Sequence, residues 1–116
     1  MDSSAANNKL IEIAAELSAM ALDLDIVILI FCHLRAPEGG APHERGGSVL
    51  SHQFAGSRAM MRSCNYMVGI EGNKDPDLPL SDRNLRDLVV LEDREFGNTG
   101  RVSLTWDNNT GLFSEI

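Results

Sequence analysis

The sequence predicts a single α/β domain over residues 1–116 that starts with a helix and a buried strand and ends in an antiparallel β-hairpin. Two observations lead to this prediction: an amphipathic helical pattern runs into the apolar segment IVILIFC, and later alternating segments are joined by glycine-containing turns. With 116 residues, 43% of them hydrophobic, the chain can bury one small core, so a wholly disordered chain is not expected.

The first half of the chain predicts a helix followed by a strand. Apolar residues recur at helical spacing over residues 8–22, with Glu12 and Glu16 between them. After a short acidic connector comes Ile26–Cys32, which lacks polar alternation and is rich in β-branched residues. Such a run is typical of a strand covered on both faces of a parallel sheet, so we expect the second half of a βαβ unit here.

The second half predicts a long loop, a short helix and four further strands. Residues 35–52 hold four glycines and two prolines, and loops of this length in compact domains are usually functional or disordered. A polar surface excursion is expected over residues 72–84. The predicted elements are a helix over 54–64 and strands over 66–71, 85–91, 101–107 and 112–113, the last three joined by the turns FGNTG and NNTG.

Composition limits the classes of function and location. The longest strictly apolar run has seven residues, far below the ~20 needed to cross a bilayer, and no basic segment precedes an apolar one at the start. The two cysteines do not suggest a disulfide framework, so we expect a cytoplasmic protein. The net charge of −7 argues against a surface that coats nucleic acid throughout, but residues 33–64 carry four arginines against two glutamates.

Two single residues stand where chemistry is expected. His33 follows the predicted buried strand, and ligands of open α/β sheets bind at the carboxyl ends of strands. The alternative is a strand-end histidine bonded to nearby backbone. Arg94 precedes a tight glycine turn, from which a guanidinium can reach a phosphate. The alternative is a surface arginine paired with Asp93 or Glu95.

Residues 35–52, which we call the glycine-rich loop, could bind along a nucleic-acid backbone. Arg35, His43 and Arg45 supply charge, and the glycines expose backbone amides. The alternative is a solvated linker. The histidines and cysteines lack the pairing of a zinc site, so no metal site is expected. No phosphate loop of the G-x-x-x-x-G-K-[ST] type occurs, so the chain is not expected to bind and hydrolyse a nucleotide unaided.

In order, the segments IFCHLRAP, HERGG, FAGSRAMMRSCNYMVGIE and DREFGNTGRVSLTWDNNTGLF resemble the carboxyl-terminal half of the RecA-like motor domain of hexameric replicative DNA helicases, of the phage primase-helicase and DnaB type. The resemblance runs from about Asn8 to Phe113. It implies part of a P-loop NTPase core without the phosphate-loop strand. It also implies an enzyme that couples NTP hydrolysis to movement on single-stranded DNA and to duplex unwinding.

The resemblance assigns roles to individual residues. His33 matches the phosphate sensor, and Arg94 matches the arginine finger that reaches the nucleotide of the adjacent subunit. The turn after the finger adds Gly97, Thr99 and Gly100 to the residues around the nucleotide. The residues matched to the DNA-binding loops and the helix behind them are Arg35, His43, Arg45, Gly46, Gly56, Ser57, Arg58 and Arg62.

The resemblance also implies ligands and partners. ATP or dTTP with Mg²⁺ would bind at subunit interfaces of a homo-hexamer, with the metal and phosphate ligands outside this chain, and no membrane is involved. Two departures stand out: Glu92 occupies a position that is usually lysine, and Gly39 and Ala41 occupy loop positions that are often basic. Both reduce the positive charge available for phosphate contact.

We expect the chain to be a fragment of a longer helicase of a phage or bacterial cell. A different class of function is a short non-enzymatic protein that binds single-stranded DNA or modulates a helicase ring. A third hypothesis, a metal-dependent hydrolase using His33, His43 and His52, would require a bound metal.

Overall fold

A computed structural model describes residues 3–54 and 58–116. The predicted DNA-loop residues Gly56 and Ser57 lie outside the described residues, and of Arg58 only the backbone is described. The chain forms three helices and four strands in these ranges. They are α1 (Ser3–Leu24), α2 (Arg58–Ser63), β1 (Tyr66–Glu71), α3 (Leu80–Arg83), β2 (Leu85–Asp93), β3 (Gly100–Asp107) and β4 (Leu112–Glu115).

Helix α1 confirms the predicted first helix and extends it at both ends. It ends in a Schellman motif, in which Asp25 adopts a left-handed φ of 52°. The amide of Asp25 donates to the Leu22 carbonyl at 3.4 Å, and the amide of Ile26 donates to the Ala21 carbonyl at 3.1 Å. Two carbonyls of the last turn therefore have partners, and the chain leaves the helix sharply.

The four strands form one antiparallel sheet in the order β1-β2-β3-β4, so the predicted α/β class and closing β-hairpin are confirmed. The pairing of β1 with β2 shifts register between Met67 and Val68, which face Glu92 and Val90 and leave Leu91 as an extra residue. Such a bulge bends a strand and re-aims the side chains beside it. It lies just before the turn that carries Arg94.

The predicted strand over Ile26–Cys32 is wrong, since this segment makes no strand pairing in the structure. Its side chains are largely in solvent: Val27 is 95% exposed and Phe31 88% exposed. A strand forms only when a neighbouring strand accepts its backbone hydrogen bonds, and no described strand lies beside this segment. His33 therefore follows an unpaired extended segment instead of a strand end.

The core of the described residues lies where the glycine-rich loop crosses β1. Along β1, Met67, Gly69 and Glu71 are buried while the alternate residues are exposed. Val49 of the loop is 1% exposed and packs on Gly69, where an added Cβ would lie 2.6 Å from a Val49 methyl carbon. The missing side chain of Gly69 thus lets the loop approach the sheet closely.

Residues 72–84 form the predicted surface excursion, with the short helix α3 near its end. No helix in the described part of the chain is long and apolar enough to span a membrane.

Candidate functional site

The turn after β2 is fixed by the side chain of Asp93. Its carboxylate accepts hydrogen bonds from the amides of Glu95, Phe96 and Asn98 at 3.0, 2.9 and 3.3 Å. The Phe96 amide makes the largest contribution to holding the pKa of this carboxyl below its ordinary value. Arg94 therefore sits on a turn whose backbone conformation is well determined by local hydrogen bonds.

The Arg94 side chain is held by two partners and remains 37% exposed. One guanidinium nitrogen, Nη1, donates to the carbonyl of Arg62, and the other, Nη2, lies 3.1 Å from Oε2 of Glu92. The backbone amide of Arg94 donates to the carbonyl of Asn65 at 2.9 Å. The ion pair is thus made with Glu92, and not with Asp93 or Glu95 as the alternative interpretation of the sequence had it.

Glu95, the next residue, has another partner. Its Oε2 accepts a hydrogen bond of 2.6 Å from the Tyr66 hydroxyl, which raises the pKa of Tyr66 to about 12. Of the two glutamates within two residues of Arg94, only Glu92 is paired with its guanidinium.

The carbonyl that Arg94 contacts belongs to the last turn of α2. The final carbonyls of a helix lack intrahelical partners and carry partial negative charge, so a cation is stabilised there. Helix α2 begins at Arg58, directly after the segment that the sequence matches to a DNA-binding loop. Arg62 and Arg94, predicted for DNA and for nucleotide, are therefore brought together at one end of this helix.

The glycine-rich loop is folded onto itself by Gln53, a buried residue. Its side-chain oxygen accepts a hydrogen bond from the Leu50 amide at 2.8 Å and lies 3.0 Å from Nε2 of His43. Its backbone carbonyl accepts a 2.6 Å hydrogen bond from the amide of Arg35. His43, predicted to face DNA, is thus half-buried and bonded inside the loop.

The middle of the loop is docked on the segment after β1. The Arg45 guanidinium forms an ion pair of 2.7 Å with Asp75, and the Gly46 amide donates to the Gly72 carbonyl at 3.1 Å. The Lys74 amide donates to the Glu44 carbonyl at 2.8 Å. The loop is therefore an ordered surface, and part of the charge of Arg45 is already offset.

A carboxylate of the sheet holds the far end of the loop. Glu71 is only 9% exposed; its Oε2 accepts a 2.8 Å hydrogen bond from the Val49 amide, and its Oε1 pairs with Arg101 at 2.9 Å. Arg101 also pairs with Asp87 at 2.9 Å. The hydroxyl of Ser103 donates to Asp87 at 2.7 Å and makes the largest contribution to lowering the pKa of that carboxyl.

The loop encloses a shallow cavity of about 320 Å³. Its lining is mostly backbone and small side chains, which suits contact with an extended polar ligand better than with a compact apolar one. The lining residues are Pro37, Gly39, Gly40, Ala41, Gly46, Gly47, Ser48, Leu50 and Gln53.

His33 and Arg35 are both exposed. Arg35 lies beside an isolated β-bridge between Leu34 and Phe54.

Gly97, Thr99 and Gly100 form the exposed end of the Arg94 turn, where Gly97 has a φ of 73° that favours glycine. Within residues 3–54 and 58–116, no three His, Cys, Asp or Glu side chains group closely enough to hold a metal ion. His33, His43 and His52 therefore offer no such group.

Sequence reasoning missed the residues that fix this site: Gln53, Glu71 and Asp75. Nothing in their local pattern marks them, because their partners are 3 to 30 residues away along the chain. In the sequence, Glu92 stands out only as a departure from the lysine that relatives usually carry. Its position two residues before Arg94, next to the end of β2, is a signal that could have predicted the pair, since residues two apart in extended chain point to the same side.

The chain is similar in sequence and in fold to known proteins. No protein-family model matches the chain. The sequence is 31% identical over 97 residues to a protein described as "DNA helicase/primase" from Enterobacteria phage T3, a match that covers 83% of this chain and 16% of that protein. A solved structure described as "ATPase Domain of G40P" superposes with a TM-score of 0.73 at 18% identity, covering 95% of this chain and 37% of that one.

The fold is therefore that of part of this ATPase domain. Together with the sequence match, it confirms the predicted resemblance to the phage DNA helicase/primases. The chain spans about one sixth of the length of the phage protein it matches.

Proposed function

We propose that this chain is the carboxyl-terminal part of the RecA-like motor domain of a replicative DNA helicase, which couples NTP hydrolysis to movement on single-stranded DNA. The observation that carries the proposal is the match to a DNA helicase/primase over 97 residues. The superposition on an ATPase domain supports it from the fold. Since the chain corresponds to 37% of that solved chain, the remaining parts of the motor would come from other residues.

In this proposal Arg94 is the arginine finger. Its guanidinium is partly exposed on a hydrogen-bonded turn, and it can offset negative charge that develops on the transferred phosphoryl group of a neighbouring subunit. A finger that acts across a subunit boundary requires an oligomer, and the homo-hexamer is the assembly that the resemblance implies. His33 would contact the terminal phosphate, and Gly97, Thr99 and Gly100 would lie near the nucleotide.

The ATP or dTTP and its Mg²⁺ would depend on other residues for most contacts. The chain has no phosphate-loop motif, and the described residues include no group suited to hold a metal. Bound nucleotide would supply the phosphoryl group and the leaving group. This chain's share is to place one cationic side chain and one polar side chain beside them.

The docked glycine-rich loop and the start of α2 would bind DNA. The exposed Arg35 and the loop amides are suited to phosphate contact, whereas Arg45 already pairs with Asp75 and His43 with Gln53. We therefore expect weaker salt dependence of DNA binding than a lysine-rich loop would give.

The test begins with the length of the native polypeptide, measured by blotting an extract of the source with an antibody against this chain. A polypeptide longer by well over ~100 residues has room for the missing part of the domain. A band at 12.7 kDa would contradict the motor proposal and leave a non-enzymatic DNA-binding or ring-modulating protein.

The second step measures DNA-stimulated NTP hydrolysis by the native-length polypeptide and its Arg94→Ala variant. Loss of an arginine finger lowers the rate by about 10³- to 10⁵-fold, while nucleotide binding stays largely intact. Arg83→Ala is the matched control, because Arg83 lies in α3 and donates to the Leu78 carbonyl. Hydrolysis that survives in Arg94→Ala, or binding lost to the same degree, would contradict the assignment.

A further inference from the structure

The guanidinium of Arg94 is occupied inside its own chain. Nη2 pairs with the Glu92 carboxylate at 3.1 Å and Nη1 contacts the Arg62 carbonyl at the end of α2. A guanidinium that binds phosphate uses the same planar set of N–H donors in a bidentate contact. These contacts engage two of the five guanidinium N–H donors, and the Glu92 carboxylate offsets part of the positive charge that a phosphate would attract.

Glu92 is well placed to keep the side chain there. It lies two residues before Arg94, on the final part of β2 next to the bulge at Met67 and Val68, and its own side chain is 38% exposed. At this exposure an ion pair is weak, worth a factor of about 1.5 to 5 in an equilibrium. The ion pair between Glu92 and Arg94 can therefore break readily, as a contact must if it breaks in each cycle of NTP hydrolysis.

We propose that Glu92 is a positioning residue that competes with the phosphate of the neighbouring subunit's nucleotide for the Arg94 guanidinium. The inference rests on the proposed function, because it takes Arg94 as the finger. In this mechanism Glu92 holds the finger against the end of α2 in a retracted state. The finger engages when phosphate charge replaces the carboxylate.

The second partner gives the retracted state a link to DNA. Helix α2 follows the predicted DNA-binding segment directly, and its last turn provides the Arg62 carbonyl. Arg94 therefore contacts the far end of a helix whose first residue adjoins the predicted DNA-binding segment.

The experiment measures kcat/KM for hydrolysis of ATP and of dTTP by the native-length polypeptide, with single-stranded DNA present. Glu92→Gln keeps the side-chain shape and removes the charge, so it should raise kcat/KM by about 1.5- to fivefold at 0.05 M salt. The gain should shrink towards one at 0.5 M salt, where charges separated by solvent are screened over about 4 to 5 Å. A merely structural role of Glu92 would not depend on salt in this way.

Glu95→Gln is the matched control. It removes the same charge from the residue next to Arg94, but its partner is the Tyr66 hydroxyl. Its kcat/KM should stay within the error of the wild type at both salt concentrations. An equal gain in both variants, no gain in Glu92→Gln, or a loss in Glu92→Gln would each overturn the competition.

The same series separates failure of this inference from failure of the proposed function. If wild type hydrolyses NTP, Arg94→Ala does not, and Glu92→Gln equals wild type, only the inference fails. If wild type shows no DNA-stimulated hydrolysis, or Arg94→Ala is as active as wild type, the proposed function fails and the inference fails with it.

Discussion

At the scale of single residues, Glu71 connects the glycine-rich loop with the sheet. Its buried carboxylate accepts the Val49 amide on one side and pairs with Arg101 on the other. The Glu71→Gln substitution replaces one carboxylate oxygen by an NH2 group, which then faces either the Val49 amide or the Arg101 guanidinium, donor against donor. An unsatisfied buried group costs about 1–3 kcal/mol. Glu71→Gln should therefore lower the free energy of unfolding by this amount.

This loss is measured by urea denaturation, followed through the fluorescence of Trp106. Glu38→Gln is the control, since Glu38 is an exposed residue of the same loop. A variant Glu71→Gln as stable as Glu38→Gln would show that the loop is held chiefly by its other contacts.

Asp87 gives a pH-dependent prediction. The hydrogen bond from the Ser103 hydroxyl, and then the hydrogen bond and charge of Arg101, lower the pKa of Asp87 in the folded chain. A carboxyl with a depressed folded pKa stabilises the fold above its unfolded pKa of about 3.9, and this contribution is lost as the pH falls through the folded pKa. Ser103→Ala should raise the Asp87 pKa towards the ordinary value and reduce that contribution.

The Asp87 titration is followed by NMR of its side-chain carboxyl carbon. Ser114→Ala, on β4, is the control and should leave the midpoint unchanged. An unchanged midpoint in Ser103→Ala would assign the shift to Arg101 alone.

The sequence predicted the role of a single residue only where a local pattern marks that residue. Arg94 could be singled out because it stands before a glycine turn, and the structure confirms that turn with Asp93 bonded to three amides. Glu71, Gln53 and Asp75 could not be, because their roles depend on which backbone and side-chain groups the fold brings to them. The functional roles of His33 and Arg94 stay predictions.

At the scale of elements, the contact between the glycine-rich loop and β1 depends on Gly69. A Cβ there would lie 2.6 Å from one Val49 methyl carbon and 2.9 Å from the Val49 Cβ. Val49 is the most buried side chain described, so it has little space to move. Gly69→Ala should destabilise the chain by about 1–3 kcal/mol through overpacking.

Thermal unfolding followed by circular dichroism measures this effect. Gly39→Ala is the matched control from the same loop, since an added Cβ at Gly39 has open space around it. A Gly69→Ala variant as stable as Gly39→Ala would mean that the loop does not stay packed on β1 in solution.

Local patterns predicted most elements correctly and failed for one. The predicted helix α1, the strand β3 and the turns beside Gly97 and Gly111 are all present, although burial does not alternate along β3. The strand predicted over residues 26–32 is wrong because a strand requires a neighbouring strand to pair with. The apolar pattern indicates only that the segment is buried by some other part of a protein. Such a pattern predicts burial in a complete sheet and does not say whether this chain provides the sheet.

At the scale of the whole molecule, the described fold buries little for its size. Its accessible surface is 8516 Å², against about 6,200 Å² expected for a folded protein of this mass. Its radius of gyration is 16.6 Å, against about 13 Å for a compact domain of this length. Much apolar surface is therefore left in water, most of all on residues 26–31, which we call the apolar segment.

The apolar segment predicts how the isolated chain behaves. Exposed apolar surface without a partner favours association, so the 116-residue chain should self-associate in a concentration-dependent way in sedimentation velocity. Val27→Asp with Phe31→Asp should reduce this association without loss of helix, since both side chains are mostly in solvent. Leu112→Asp with Ile116→Asp is the control, because these two exposed residues lie at the far edge of the sheet and contribute less apolar surface than the apolar segment, so association should fall less.

The same pair of substitutions should act in the opposite direction in the longer polypeptide that the proposed function requires. There, other residues of the motor domain would cover the apolar segment, and burial of an unpaired carboxylate is strongly unfavourable. Val27→Asp with Phe31→Asp should then lower the unfolding temperature of the native-length polypeptide while improving the solubility of the 116-residue chain. Equal tolerance in both would mean that the apolar segment faces solvent in the native protein, contrary to the motor proposal.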